Sequence, residues 1–164
     1  MFIAHLPAGY LITRHIQCKI GNDSQWLRWA GLIASIFPDF DLAYFFLIDH
    51  RQHPHHEYIT HMPLAWLGLA VLLWRILRIV NRPRLIPFIG VVLANVLLHM
   101  VMDSIMAEIY WFYPFSDMAV NLLHITKHYD WWVLSFVLHW TFMLEIFIVF
   151  IAFHVWITPC KKTS

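Results

Sequence analysis

The chain has 164 residues, room for one domain, and is 60% hydrophobic with only 13% charged residues, which excludes the make-up of an ordinary soluble domain of this length. A formal net charge of +1 and scattered Lys and Arg leave no broad basic face, so a nucleic-acid partner is excluded too. Nine Trp, thirteen Phe and six Tyr suit the aromatic belts of a membrane protein, and twelve His are the outlier.

The opening MFIAHLPAGYLITRHIQCK lacks the basic start, long apolar run and small-residue cleavage site of a secretory signal, so it is read as part of the mature protein. Phe2 to Ile12 is too short to cross a bilayer alone and predicts a half-inserted or re-entrant segment, or a short helix leaning on a bundle. Trp26 to Ile48 is the first candidate span, interrupted by Pro38, Asp39 and Asp41. Leu64 to Val80, Leu85 to Met106 and Trp132 to Ile157 are cleaner spans, the last with one acid, Glu145. Asn81, Arg82 and Pro83 predict a tight turn between antiparallel neighbours.

The expected fold is therefore all-α: one membrane-embedded domain over residues 1–164, a transmembrane bundle of about four spans plus the short N-terminal segment. Arg14, Lys19 and Arg28, then Arg75, Arg78, Arg82 and Arg84, then Lys161 and Lys162 fall on one side, which the positive-inside rule makes cytoplasmic. Loops 49–63 and 107–131 then lie on the outer face of an inner, or plasma, membrane. Cys18 and Cys160 fit no CxxC spacing, so neither a thiolate zinc site nor a disulfide framework is expected.

The densest feature is Asp49-His50-Arg51-Gln52-His53-Pro54-His55-His56-Glu57-Tyr58-Ile59-Thr60-His61, five imidazoles leading into a span. Neutral imidazole is the commonest protein ligand for zinc-like ions. Further along, His99 and Asp103 are four residues apart, which puts both on one helix face where they reach one ion or the acid orients the imidazole. Asp39 and Asp41 cannot share a face of a regular helix, but Pro38 breaks the helix and lets them converge. Ionisable groups at membrane depth are costly and usually face the bundle interior.

These residues, with His5 and Gly9 before them and Pro114-Phe115-Ser116 after, resemble the YdjM-like family of inner-membrane, metal-dependent hydrolases. The resemblance implies a metal site built from His5, Asp39, Asp41, His56, His61, His99 and Asp103, in a fold similar to the helical zinc-dependent phospholipase C type. Where such proteins often carry His-Arg-Gly and Thr-His-Ser, this chain has His56-Glu57-Tyr58 and Thr60-His61-Met62, leaving Arg51 as the substitute anion binder. No second His-x-x-x-Glu of the phospholipase C type is present, although His124 and His128 share a helix-like spacing of four.

The function this supports is metal-assisted hydrolysis of an ester or phosphodiester in an amphiphilic, lipid-like substrate at the bilayer. Zinc is the expected ion and manganese the second choice, with Asp39, Asp41 or Asp103 as general base. The competing readings are a metal-binding or metal-transport protein that performs no chemistry, and a haem protein with axial histidines such as His99 and His139.

Overall fold

The computed structural model describes residues 3–53, 55–123 and 132–158. Its regular structure there is helical, apart from one isolated antiparallel bridge between Ile109 and Val120. Seven α-helices follow in chain order: α1 His5–Ile20, α2 Gln25–Ala34, α3 Asp41–Leu47, α4 Pro63–Ile79, α5 Ile86–Asp103, α6 Trp132–Val137 and α7 Trp140–Ile157.

Of the alternatives expected for the N-terminal segment, the structure has the helix leaning on the bundle, and it is longer than the apolar run. Pro7 lies in the first turn of α1, where backbone N–H groups have no helical acceptor in any case. The helix continues well past Ile12 because its polar residues are buried and partnered. Asn95 Nδ2 donates to Thr13 Oγ1 at 2.9 Å, and Gln17 Nε2 donates to the Ser24 carbonyl at 2.8 Å. It stops at Gly21, whose φ of +65° is the left-handed cap geometry glycine adopts without penalty, while Asn22 N closes onto Gln17 O at 3.1 Å. Cys18, expected as an ordinary thiol, is disulfide-bonded; Cys160 lies outside the described residues.

The interrupted first span is a bent pair. Pro38 opens a single 3-10 turn, Pro38–Phe40, and the helical segments Gln25–Ala34 and Pro38–Leu47 meet at 55°. Asn81, at φ +50°, makes the expected turn between α4 and α5. The last expected span, Trp132 to Ile157, is not continuous. It breaks after α6, and His139 in extended conformation caps α7, its Nδ1 accepting from Thr141 N at 3.3 Å.

Two helical stretches, Pro83–Asp103 and Trp140–Ile157, are long and apolar enough to cross a membrane, and the bent pair makes a third if it is one span. The shorter α4 has 17 residues and carries Arg75 and Arg78 toward its end.

Helix α5 is the hub, packing against α1, α2 and α4, while α1 also packs on α7. His5 meets Asp103 and Thr13 meets Asn95, so α1 runs antiparallel to α5. Close approach is enforced by glycine: a Cβ on Gly9 would sit 2.3 Å from Ser35 Cβ, and one on Gly31 would sit 2.1 Å from Thr13 Oγ1. The interior is polar and the exterior apolar. Thr13, Gln17, Asn95, His99 and Glu145 are buried, whereas Leu72 is 55% and Phe150 68% exposed. Such inversion fits a bundle whose helices associate by close packing and hydrogen bonds while lipid solvates the outside.

Candidate metal centre

The break at Pro38, the 3-10 turn Ile59–His61 and the C-terminal end of α5 meet at one end of the bundle, where α1 begins. His61 and His99 are fully enclosed there, and Asp103 and His5 nearly so.

Each central imidazole is held from behind. His99 Nδ1 lies 2.8 Å from the Ser35 carbonyl oxygen, which can only accept, so Nδ1 carries the proton and Nε2 faces inward. His61 Nδ1 lies 2.8 Å from Asp41 Oδ2, and the Thr60 hydroxyl donates to that same oxygen. This is the arrangement in which a carboxylate behind a ligating histidine fixes its tautomer and ring plane.

The inward atoms converge. His99 Nε2 is 2.9 Å from Asp103 Oδ2 and 3.5 Å from Asp39 Oδ1; His61 Nε2 is 3.8 Å and 3.9 Å from the same two oxygens. One donor atom from each of Asp39, His61, His99 and Asp103 lies within 4.8 Å of the others. Ligands about 2.1 Å from a tetrahedral ion stand about 3.4 Å apart, so the spacing fits a zinc-sized cation. The buried His99 Nε2 makes no aligned hydrogen bond despite its short distance to Asp103, as expected of a lone pair directed at an ion rather than at a carboxylate.

Two more histidines border the cluster. His5 stacks on His99 with ring centroids 4.0 Å apart and places Nε2 3.2 Å from Asp103 Oδ1. His56, more open, has Nε2 3.9 Å from Asp103 Oδ2 and its ring edge-on to His61 at 4.9 Å. All seven residues named from sequence therefore lie in one contiguous group, with Asp41 behind His61. His5 arrives because α1 starts at this end of the bundle.

Other histidines and motifs go elsewhere. His53 pairs with Asp49, His50 is exposed, and His139 caps α7. Arg51 stacks over Phe46 at 4.8 Å rather than reaching the cluster as an anion binder. Ser116 accepts from Met118 N within a local turn. His124, His128, Trp131, Lys161 and Lys162 lie outside the described residues. Sequence reasoning missed Thr60 and the Ser35 carbonyl. Thr60 adjoins His61 and was legible as a neighbour, whereas a backbone carbonyl leaves no residue-type signal.

A family model described as YdjM inner membrane protein matches residues 1–163. The chain belongs to this family. Membership makes it an inner membrane protein, in agreement with the apolar helices, and contact with the lipid bilayer follows. Nothing matches among curated proteins or among solved structures. The buried Asp39, His61, His99 and Asp103 cluster can hold a metal ion.

Proposed function

We propose that this member of the family is a membrane-embedded, metal-dependent hydrolase acting on an ester or phosphodiester of an amphiphilic, lipid-like substrate. The observation that carries the reading is the convergence of two back-supported imidazoles with two carboxylates inside 4.8 Å, at the end of an apolar bundle. A bound divalent ion, zinc or manganese, supplies a Lewis acid that polarises the scissile group and acidifies water.

His61 and His99 would hold the ion, with Asp103 the buried carboxylate between them and His5, and Asp41 would keep the proton on His61 Nδ1. Asp39 differs from the others: its side chain is 37% exposed, so solvent reaches it, and it is the carboxylate assigned to take a proton from water. On the positive-inside rule, the arginine-rich turn at 75–84 lies in the cytoplasm and the metal end, at which α1 begins, at the outer face.

Elemental analysis of the purified chain beside His61→Ala, His99→Ala and Asp103→Ala tests the site. Near-stoichiometric metal in the wild type and background levels in the variants are expected; equal metal in all four overturns it. Metal-loaded protein is then assayed against phospholipids and soluble phosphodiesters. Metal-dependent product release is the expected result, whereas an inert protein that carries zinc into proteoliposomes favours transport instead.

A further inference from the structure

Glu145 is the one carboxylate that lies wholly inside an apolar crossing helix and has no place in the metal cluster among the described residues. It is fully buried in α7, where an ionisable group is costly unless strong donors meet it. The donors are backbone: Ile3 N donates to Glu145 Oε2 at 2.7 Å and Ala4 N donates to the same oxygen at 3.2 Å. Ala4 is the N-cap of α1 and has no side-chain group to cap its helix. A carboxylate supplied from α7 does so, and its negative charge also suits the positive end of the helix.

The next residue is His5. Its ring rests 4.0 Å from that of His99, and its Nε2 lies 3.2 Å from Asp103 Oδ1, the oxygen opposite the one facing His61 and His99. Two charge-assisted bonds to the two preceding residues fix where this ring stands. We propose that Glu145 is a positioning residue of the metal centre: by gripping the backbone N–H groups of Ile3 and Ala4 it holds His5 against Asp103 and His99, and so sets Asp103 for the ion. The proposal rests on the metal reading above.

The test is zinc affinity of the full-length, detergent-purified chain, by competition with a chromogenic chelator, together with the visible spectrum of its cobalt form. Glu145→Ala and Glu145→Asp should each weaken zinc about 10-fold, as loss of outer-shell support does, and change the cobalt bands. Glu145→Gln, whose amide oxygen still accepts from both N–H groups, should stay within about threefold of wild type. In a His5→Ala background, adding Glu145→Ala should cost no more than about twofold, because the residue acts through His5.

Wild-type affinity in both Glu145→Ala and Glu145→Asp overturns the proposal, and so does failure of Gln to rescue. An undiminished 10-fold loss in the His5→Ala background also overturns it, since Glu145 would then act through general packing. Zinc binding by His99→Ala equal to wild type, or none by wild type, refutes the metal reading itself and is distinguishable from each of these.

Discussion

Two buried polar groupings lie one helical turn apart on α5, and they are built on opposite principles. At Asn95 both amide hydrogens are used inside the protein, donating to Thr13 Oγ1 at 2.9 Å and to the Val91 carbonyl at 2.8 Å, and the seam between α1, α2 and α5 closes around them. At His99 and Asp103 the imidazoles donate outward, to Ser35 and toward Asp41, so the atoms turned inward are nitrogen lone pairs and carboxylate oxygens. The seam aims its buried amide donors at acceptors within the protein, whereas the cluster gathers acceptors that a bound cation would satisfy.

The largest test of that contrast is Asp41→Ala. Without the carboxylate behind it His61 loses its fixed tautomer, and zinc affinity should fall 10-fold to 100-fold by chelator competition while the helical circular dichroism persists. Zinc at about 100 times its Kd should stabilise the wild type by about 2.7 kcal/mol in thermal unfolding, and Asp41→Ala far less at the same concentration. A variant that binds zinc like wild type would reduce the Asp41–His61 pair to another structural seam.

Changes in the seam should do the reverse. Gly31→Ala forces a methyl to within 2.1 Å of Thr13 Oγ1 and should cost about 1–3 kcal/mol of stability as overpacking. Asn95→Ala should cost about 0.6 kcal/mol, typical of one hydrogen bond between helices in a membrane. Neither should move zinc affinity more than about twofold once the folded fraction is matched. If Asn95→Ala weakened zinc as much as Asp41→Ala, the two regions would be one network.

Much of this was legible in the sequence. The membrane setting, the break at Pro38 and the turn at Asn81 follow from composition and local sterics, and helical spacing alone puts His99 and Asp103 on one face. Hydropathy stopped α1 at Ile12, however, because it counts Thr13, Arg14 and Gln17 as polar and cannot know that Asn95 and Ser24 wait for two of them. Hydropathy also ran straight through His139, since Leu138 and Trp140 are apolar and histidine is not among the usual capping residues. Glu145 looked like a stray acid because its partners are backbone N–H groups 141 and 142 residues away.

The smallest expected effect comes from a carboxylate–imidazole pair of the same chemistry as the cluster, placed outside the bundle. His53 Nδ1 lies 2.9 Å from Asp49 Oδ1, and His53 N donates to Asp49 Oδ2 at 2.9 Å. The hydrogen bonds from His53 hold the Asp49 carboxyl down at about 2, and the same side-chain bond raises His53 above its ordinary 6.5. A raised imidazole contributes fully below 6.5 and loses its contribution as pH climbs through its raised value; a depressed carboxyl contributes above 3.8 and loses it as pH falls through about 2. The pair is therefore complete between about pH 4 and pH 6.5, and the exposure of the His53 side chain, 63%, keeps its effect on stability small. In an NMR titration His53 should titrate above 6.5 in the wild type and return to 6.5 in Asp49→Asn, with zinc affinity unchanged in that variant. A fall in zinc affinity there would mean that the loop pair and the buried cluster are coupled, and that solvent exposure does not separate a titrating pair from a metal-binding one.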